Sequence, residues 1–183
     1  KLSGGGMIIT PFEGDNNCLD ERELVKVVNG RCEPGKIPSH MAKFHDLIYA
    51  HCPDIQSVIT ASSPWAGSFV VTGENYDVRV IPECFNRLKV CRTFDFDTFL
   101  DHPEEIAGYL SLSTPVAIVK NGFYVICSVS PFATYDRAEI FEYTARSVHY
   151  TKMMRKDIIS IADKNIDALE KRFKIPKSEI PTL

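Results

Sequence analysis

The stretch from Pro115 to Pro131 constrains this chain more than any other. Two β-rich runs, Pro115–Val119 and Tyr124–Val129, flank Lys120-Asn121-Gly122-Phe123. An Asn-Gly pair between two apolar, β-prone runs is a strong hairpin signal, because both residues tolerate positive φ. A hairpin makes its two strands neighbours and antiparallel. The signal recurs at Asn29-Gly30, after the run Leu24–Val28, with Arg31-Cys32-Glu33 as a short return strand ending at Pro34-Gly35. Two hairpins argue against a purely parallel, doubly wound sheet. Directly after the second hairpin, Ser130-Pro131 opens the longest predicted helix, with Pro at its first helical position. Ala138, Phe141, Ala145 and Val148 form the apolar stripe of that helix.

The remaining elements fit around this frame. Met7–Thr10 reads as a strand ended by Pro11, and residues 12–22 as a polar loop. Ser39 is expected to cap a helix that buries Met41, Phe44 and Ile48 and stops at Cys52-Pro53-Asp54. Ile55–Thr60 is a strand, Pro64–Val70 a short helix or turn, and Val78–Ile81 another strand ended by Pro82. The stretch 87–94 is partly extended. Asp101 with Glu104 resembles a capping pair for a helix through Leu110. Ile159, Ala162, Ile166, Leu169 and Phe173 keep a 3,4 spacing, either as a separate helix or as a continuation of the long one. Pro176 and Pro181 end the ordered pattern. Strands joined by hairpins, with helices between them, predict an α/β layer fold with a largely antiparallel sheet.

The chain has 183 residues, of which 44% are hydrophobic, enough for the core of one domain spanning 1–183. Residues 153–183 form its C-terminal amphipathic helix and tail. A net charge of −3 argues against nucleic acid or an anionic membrane as partner. No apolar run reaches the roughly 20 residues that span a bilayer, and no signal peptide is seen. The six cysteines form no C-x-x-C pair, so they read as reduced packing groups in a cytoplasmic protein. Lys1 stands only six residues before an apolar strand, which implies residues upstream of it.

The most site-like stretch is Ser57–Ala66. It reads as a strand that stops at small hydroxyl residues and turns at Pro64 into a helix, a common place for a ligand in α/β proteins. Thr60 and Ser62, two apart, are expected on one face of the strand. Two readings stay open for them: strand-end hydroxyls bonded to backbone, or ligand-binding groups. Asn121 is either a turn residue or a ligand contact, and Lys120 is either solvated or turned to the pocket. His40, near a helix start, is a surface residue or a polar pocket group. His45 reads as packed and hydrogen-bonded, and Met41 as core filler.

In order and spacing these pieces resemble the class II aldolase/adducin family, with a fuculose-phosphate-aldolase-like fold. Four segments carry the resemblance: Ile8-Ile9-Thr10-Pro11, Pro38-Ser39 through Tyr49, Cys52-Pro53-Asp54 through Ser63-Pro64, and Val119–Gly122 with the helix after it. The match covers roughly residues 5–152, and the family's first helices would lie before Lys1. It implies a three-layer α/β/α sandwich with a mixed, mostly antiparallel central sheet. It also implies a homo-oligomer, commonly a tetramer.

The family's reaction is aldol cleavage of sugar phosphates on a zinc ion held by three histidines, with a glutamate moving the proton. By the resemblance, the histidine positions fall on Thr60, Ser62 and Asn121. The glutamate falls on Met41, and the phosphate-cradling Ser-Gly on Phe12-Glu13. Hydroxyls are poor Zn²⁺ ligands, and Met41 cannot carry a proton. The resemblance therefore implies the fold without the reaction: no zinc or other cofactor, and a binding or assembly module. Its degenerate pocket would take a small carbohydrate-like ligand through Ser39, His40, Thr60, Ser62, Lys120 and Asn121. The alternative is a sugar-phosphate lyase or epimerase with a rebuilt site, drawing on Ser39, His40, Glu13, Lys120 and Asn121.

Overall fold

The computed structural model describes residues 1–14 and 18–173. The Asn29-Gly30 signal forms the expected hairpin. Asn29 and Gly30 take φ of 49° and 71° and join β2 (Val25–Val28) to β3 (Arg31–Cys32). On its other side β2 pairs antiparallel with β1 (Met7–Ile9), which makes a small three-stranded sheet.

The second hairpin organises the main sheet. Its strands β6 (Val116–Val119) and β7 (Phe123–Ser128) sit in the centre, in the order β4-β7-β6-β5, where β4 is Ser57–Ala61 and β5 is Cys91–Phe94. β7 runs antiparallel to both neighbours, and β5 runs parallel to β6. The sheet is mixed and mostly antiparallel, as expected.

Side chains on the two central strands alternate between two apolar cores, because successive strand residues point to opposite faces. Ala117, Val119, Val125 and Cys127 face one core, shared with α1 (Ala42–His51) and α5 (Pro103–Tyr109). Val116, Ile118, Tyr124 and Ile126 face the other, shared with α2 (Ala66–Thr72), α3 (Pro82–Leu88) and α6 (Pro131–Met153). Burial on both faces explains why these strands read as continuous apolar runs. The result is the three-layer α/β/α arrangement. Phe141 of α6 centres the second core, fully buried and stacked on Tyr76 with ring centroids 4.2 Å apart.

Several local expectations are corrected. Val78–Ile81 is not a strand. The Asp77 carboxylate accepts from the Arg79 N–H at 2.8 Å, which closes a 3-10 turn over Val78–Val80, and Pro82 then starts α3 at its N1 position. Asp101 does not cap a helix. It ends α4 (Phe96–Asp101), and Pro103 starts α5 afresh.

Ser39 lies in the turn before α1, which begins at Ala42. Its Oγ accepts from the Met41 N–H at 3.3 Å, and Met41 itself is buried. The 159–173 stripe is not continuous with the long helix. α6 ends at Met153, Arg155 takes a left-handed φ of 55°, and α7 spans only Asp163–Arg172. Ile159, in the connection, is 87% exposed, whereas Ile166 and Leu169 pack on the second core. Pro176, Pro181 and the rest of the tail lie outside the described residues. Among the described residues, no helix is long and apolar enough to cross a membrane.

Candidate functional site

β4 is an edge strand, and its free edge faces a groove of about 990 Å³. The strand direction at this edge follows from the hairpin. The Cys127 N–H donates to Pro115 O on the β6 side, so Ser128, Ile126 and Tyr124 turn their backbone groups toward β4. Their partners Ser57, Ile59 and Ala61 face back, which leaves Val58 and Thr60 presenting backbone groups to the groove. The Tyr49 phenol, buried at this groove, has its pKa raised to about 12 by burial.

The opposite wall is Thr10–Phe12 with the turn Ser39–Met41, held to it by the Ser39 N–H donating to Thr10 O at 2.9 Å. Four of the six residues expected at a site line this groove: Ser39, His40, Thr60 and Ser62. Thr60 Oγ1 is hydrogen-bonded to His45 Nε2 at 3.1 Å. His45 is 6% exposed, and burial depresses its pKa to about 4. The imidazole is therefore neutral at physiological pH. The sequence suggests a packed, hydrogen-bonded His45; its partner is a side chain 15 residues away.

Ser62 lies one residue beyond the end of β4 at Ala61, and its Oγ stands close to α2, where a Cβ at Gly67 would meet it at 3.2 Å. His40 is exposed on the groove rim, its ring edge-on to Phe12 with centroids 6.2 Å apart. Phe12 is itself 53% exposed, so the rim is aromatic here.

Lys120 and Asn121 are not among the groove's lining residues. Lys120 pairs with Asp95 at 2.7 Å and lines a separate cleft of about 490 Å³ with Asn75, Arg92 and Tyr109. Asn121 takes a φ of 58° in the hairpin turn, and its N–H donates to Val70 O at 2.9 Å, which ties the turn to α2. Only Gly122 and Phe123 of the turn reach the groove. The five groups named for a rebuilt lyase or epimerase are thus not gathered in one cavity.

The donor set does not fit zinc. Two hydroxyls and an amide stand at the three expected ligand positions, and the Thr60 hydroxyl is engaged by His45. Among the described residues, no three His, Cys, Asp or Glu side chains form a group that could hold a metal ion.

One residue that holds the turn beside the groove had no sequence signal. Glu142, on α6, receives the Ser63 hydroxyl at 2.5 Å and the N–H groups of Trp65 and Ala66 at 3.0 and 2.8 Å. The turn that leads out of β4 is therefore held from a helix about 77 residues further along the chain. Tyr124, buried behind it, has its pKa raised by burial; a hydrogen bond with Ser63 opposes the rise and the Glu142 charge adds to it. A local reading of Ser62–Ala66 contains no cap for α2, because the cap is tertiary.

Comparison with known proteins gives the context. Residues 1–149 match the profile described as Class II Aldolase and Adducin N-terminal domain. The fold is shared with YgbL of Escherichia coli, a candidate aldolase/epimerase/decarboxylase, at a TM-score of 0.80 and 21% identity over 92% of this chain and 83% of that one. It is shared with an L-fuculose 1-phosphate aldolase at a TM-score of 0.72 and 18% identity, covering 93% and 81%. The l-fuculose-1-phosphate aldolase of Thermus thermophilus gives 0.70 and 15%, covering 84% and 81%. At these identities the likeness is one of fold. Among curated proteins, none matches the chain by sequence.

Proposed function

Since the chain belongs to the class II aldolase and adducin N-terminal domain family, we propose that it is a binding or assembly module on that fold which has lost zinc-dependent aldol cleavage. The observation that carries this reading is the state of Thr60. Its hydroxyl stands at an expected imidazole position and is hydrogen-bonded to a buried, neutral His45. Ser62 and Asn121 complete a set too weak to hold Zn²⁺. Met41, buried, stands at the expected position of the proton-moving glutamate, so the ligand and base positions have changed together.

The groove is suited to a small, carbohydrate-like ligand. It offers hydroxyls of Ser39, Thr60 and Ser62, the exposed imidazole of His40, and the aromatic face of Phe12. Polar groups that fix orientation over apolar surface are what such a ligand needs. Glu13 next to Phe12 disfavours a phosphate group there. A lyase or epimerase with a rebuilt site is the weaker reading, because Lys120 is drawn to Asp95 and Asn121 to Val70. By the same family resemblance the protein is a cytoplasmic homo-oligomer, a tetramer.

Elemental analysis of the purified protein tests the reading. Zinc well below one per chain, with added Zn²⁺ leaving the unfolding temperature unchanged, is expected. One zinc per chain, lost in Thr60→Ala or Asn121→Ala, would overturn it.

A further inference from the structure

The cleft of about 490 Å³ lies at the free edge of β5, the outermost strand of the main sheet. It shares no lining residue with the groove. Its backbone donors follow from the strand register. The Lys120 N–H donates to Phe94 O at 3.0 Å, so Arg92 and Phe94 turn their backbone groups to β6. Cys91 and Thr93 alternate with them and present theirs to the cleft, on the side where β5 has no neighbouring strand.

Two cations stand beside these groups. Arg92 is exposed and, among the described residues, forms no ion pair. Its guanidinium lies 4.5 Å from the ring centroid of Phe94 and 5.9 Å from that of Tyr109, so the rings fix it without consuming its donors. Lys120 is led across Gly73, where a Cβ would stand 3.1 Å from Lys120 Cε. Its ammonium pairs with Asp95 at 2.7 Å, with side chains 42% and 71% exposed. A pair so exposed is weak, and an ammonium has three donors to share. The Tyr109 hydroxyl, buried beside the Arg92 backbone, completes no hydrogen bond. Buried groups left open in this way are normally met by a water or a ligand.

A donor-rich cleft selects an oxyanion. With Asp95 beside Lys120, the charged groups here carry one net positive charge, which suits a singly charged carboxylate better than a phosphate dianion. Thr93 and Asn75 add a hydroxyl and an amide that both donate and accept, a match for a hydroxyl on the same ligand. We propose that this cleft binds a small hydroxy-carboxylate, with Arg92 taking the carboxylate and Lys120 as the second cation. The site is independent of the groove and of the reading given to it above.

The test is an NMR titration of the full chain, labelled with ¹⁵N, with sodium lactate against sodium chloride at equal ionic strength and neutral pH. Lactate should give saturable shifts at the Cys91 and Thr93 amides, and chloride should not. Arg92→Gln should raise the dissociation constant about tenfold or more. Asp95→Asn removes the competing carboxylate and should lower it about threefold. Both positions are exposed, so the rest of each variant's spectrum should match the wild type. His40→Ala, at the groove, should leave lactate binding unchanged. Inorganic phosphate should bind more weakly than lactate. Shifts that never saturate, that chloride reproduces, that survive Arg92→Gln or that are lost in His40→Ala would overturn the site. Phosphate binding tighter than lactate would overturn the choice of a carboxylate.

Discussion

His45 offers a quantitative test of how the groove is built. It sits on α1 with Nε2 against Thr60 Oγ1, 6% exposed, and burial lowers its pKa from 6.5 to about 4. The folded pKa lies below the unfolded one, so between these values the unfolded chain binds more protons. Stability from this residue is complete above about pH 6.5 and falls as pH drops through the window. At pH 4.5, protonation favours the unfolded chain by about 2.5 kcal/mol, against about 0.2 kcal/mol at pH 7.

Carboxylates also titrate in this range, so the comparison is with His45→Gln. That variant keeps a hydrogen-bonding amide near Thr60 and does not titrate. Urea unfolding of both proteins at pH 7 and pH 4.5 should show the wild type losing about 2 kcal/mol more than the variant between the two values. A histidine resonance assigned to His45, followed by NMR, should remain neutral down to about pH 5. Equal pH dependence in the two proteins, or a His45 midpoint near the ordinary histidine value, would refute the buried, neutral imidazole and with it the state of Thr60.

Glu142→Ala should lower stability by about 2–4 kcal/mol in the same urea assay, because it strips a charged acceptor from Ser63 and from two backbone N–H groups; Glu142→Gln should lose less, and an Ala variant as stable as the wild type would refute the tertiary cap. Alkylation at about pH 8 followed by mass spectrometry should label the exposed Cys18 and Cys32 first. Burial pushes the Cys84 thiol up to about 11 and the Cys127 thiol to about 12, so these two should react only on unfolding. Labelling of Cys127 at the rate of Cys18 would contradict the packing of β7.

What the sequence determined by itself was the local and periodic part of the molecule. Asn29-Gly30 and the turn around Asn121 specify hairpins because their residues accept positive φ, and Ser130-Pro131 specifies a helix start because Ser130 caps it, accepting from the Ala133 N–H at 3.2 Å. Those signals depend on a few consecutive residues. They were enough for a mixed, mostly antiparallel sheet between helix layers. The same is true of the weak donors at Thr60, Ser62 and Asn121, whose chemistry is a property of residue type.

Only the tertiary structure decided which of these groups meet. The strand expected at Val78–Ile81 became a turn because Asp77 captured the Arg79 amide ahead of Pro82, a choice that apolar β-propensity does not record. Thr60 found His45, and Ser63 found Glu142, across sequence separations of 15 and 79. Lys120 was drawn out of the expected site by Asp95. Each of these outcomes is fixed by long-range packing of sheet against helix, and residues so far apart in the chain leave no periodicity from which their contact can be read.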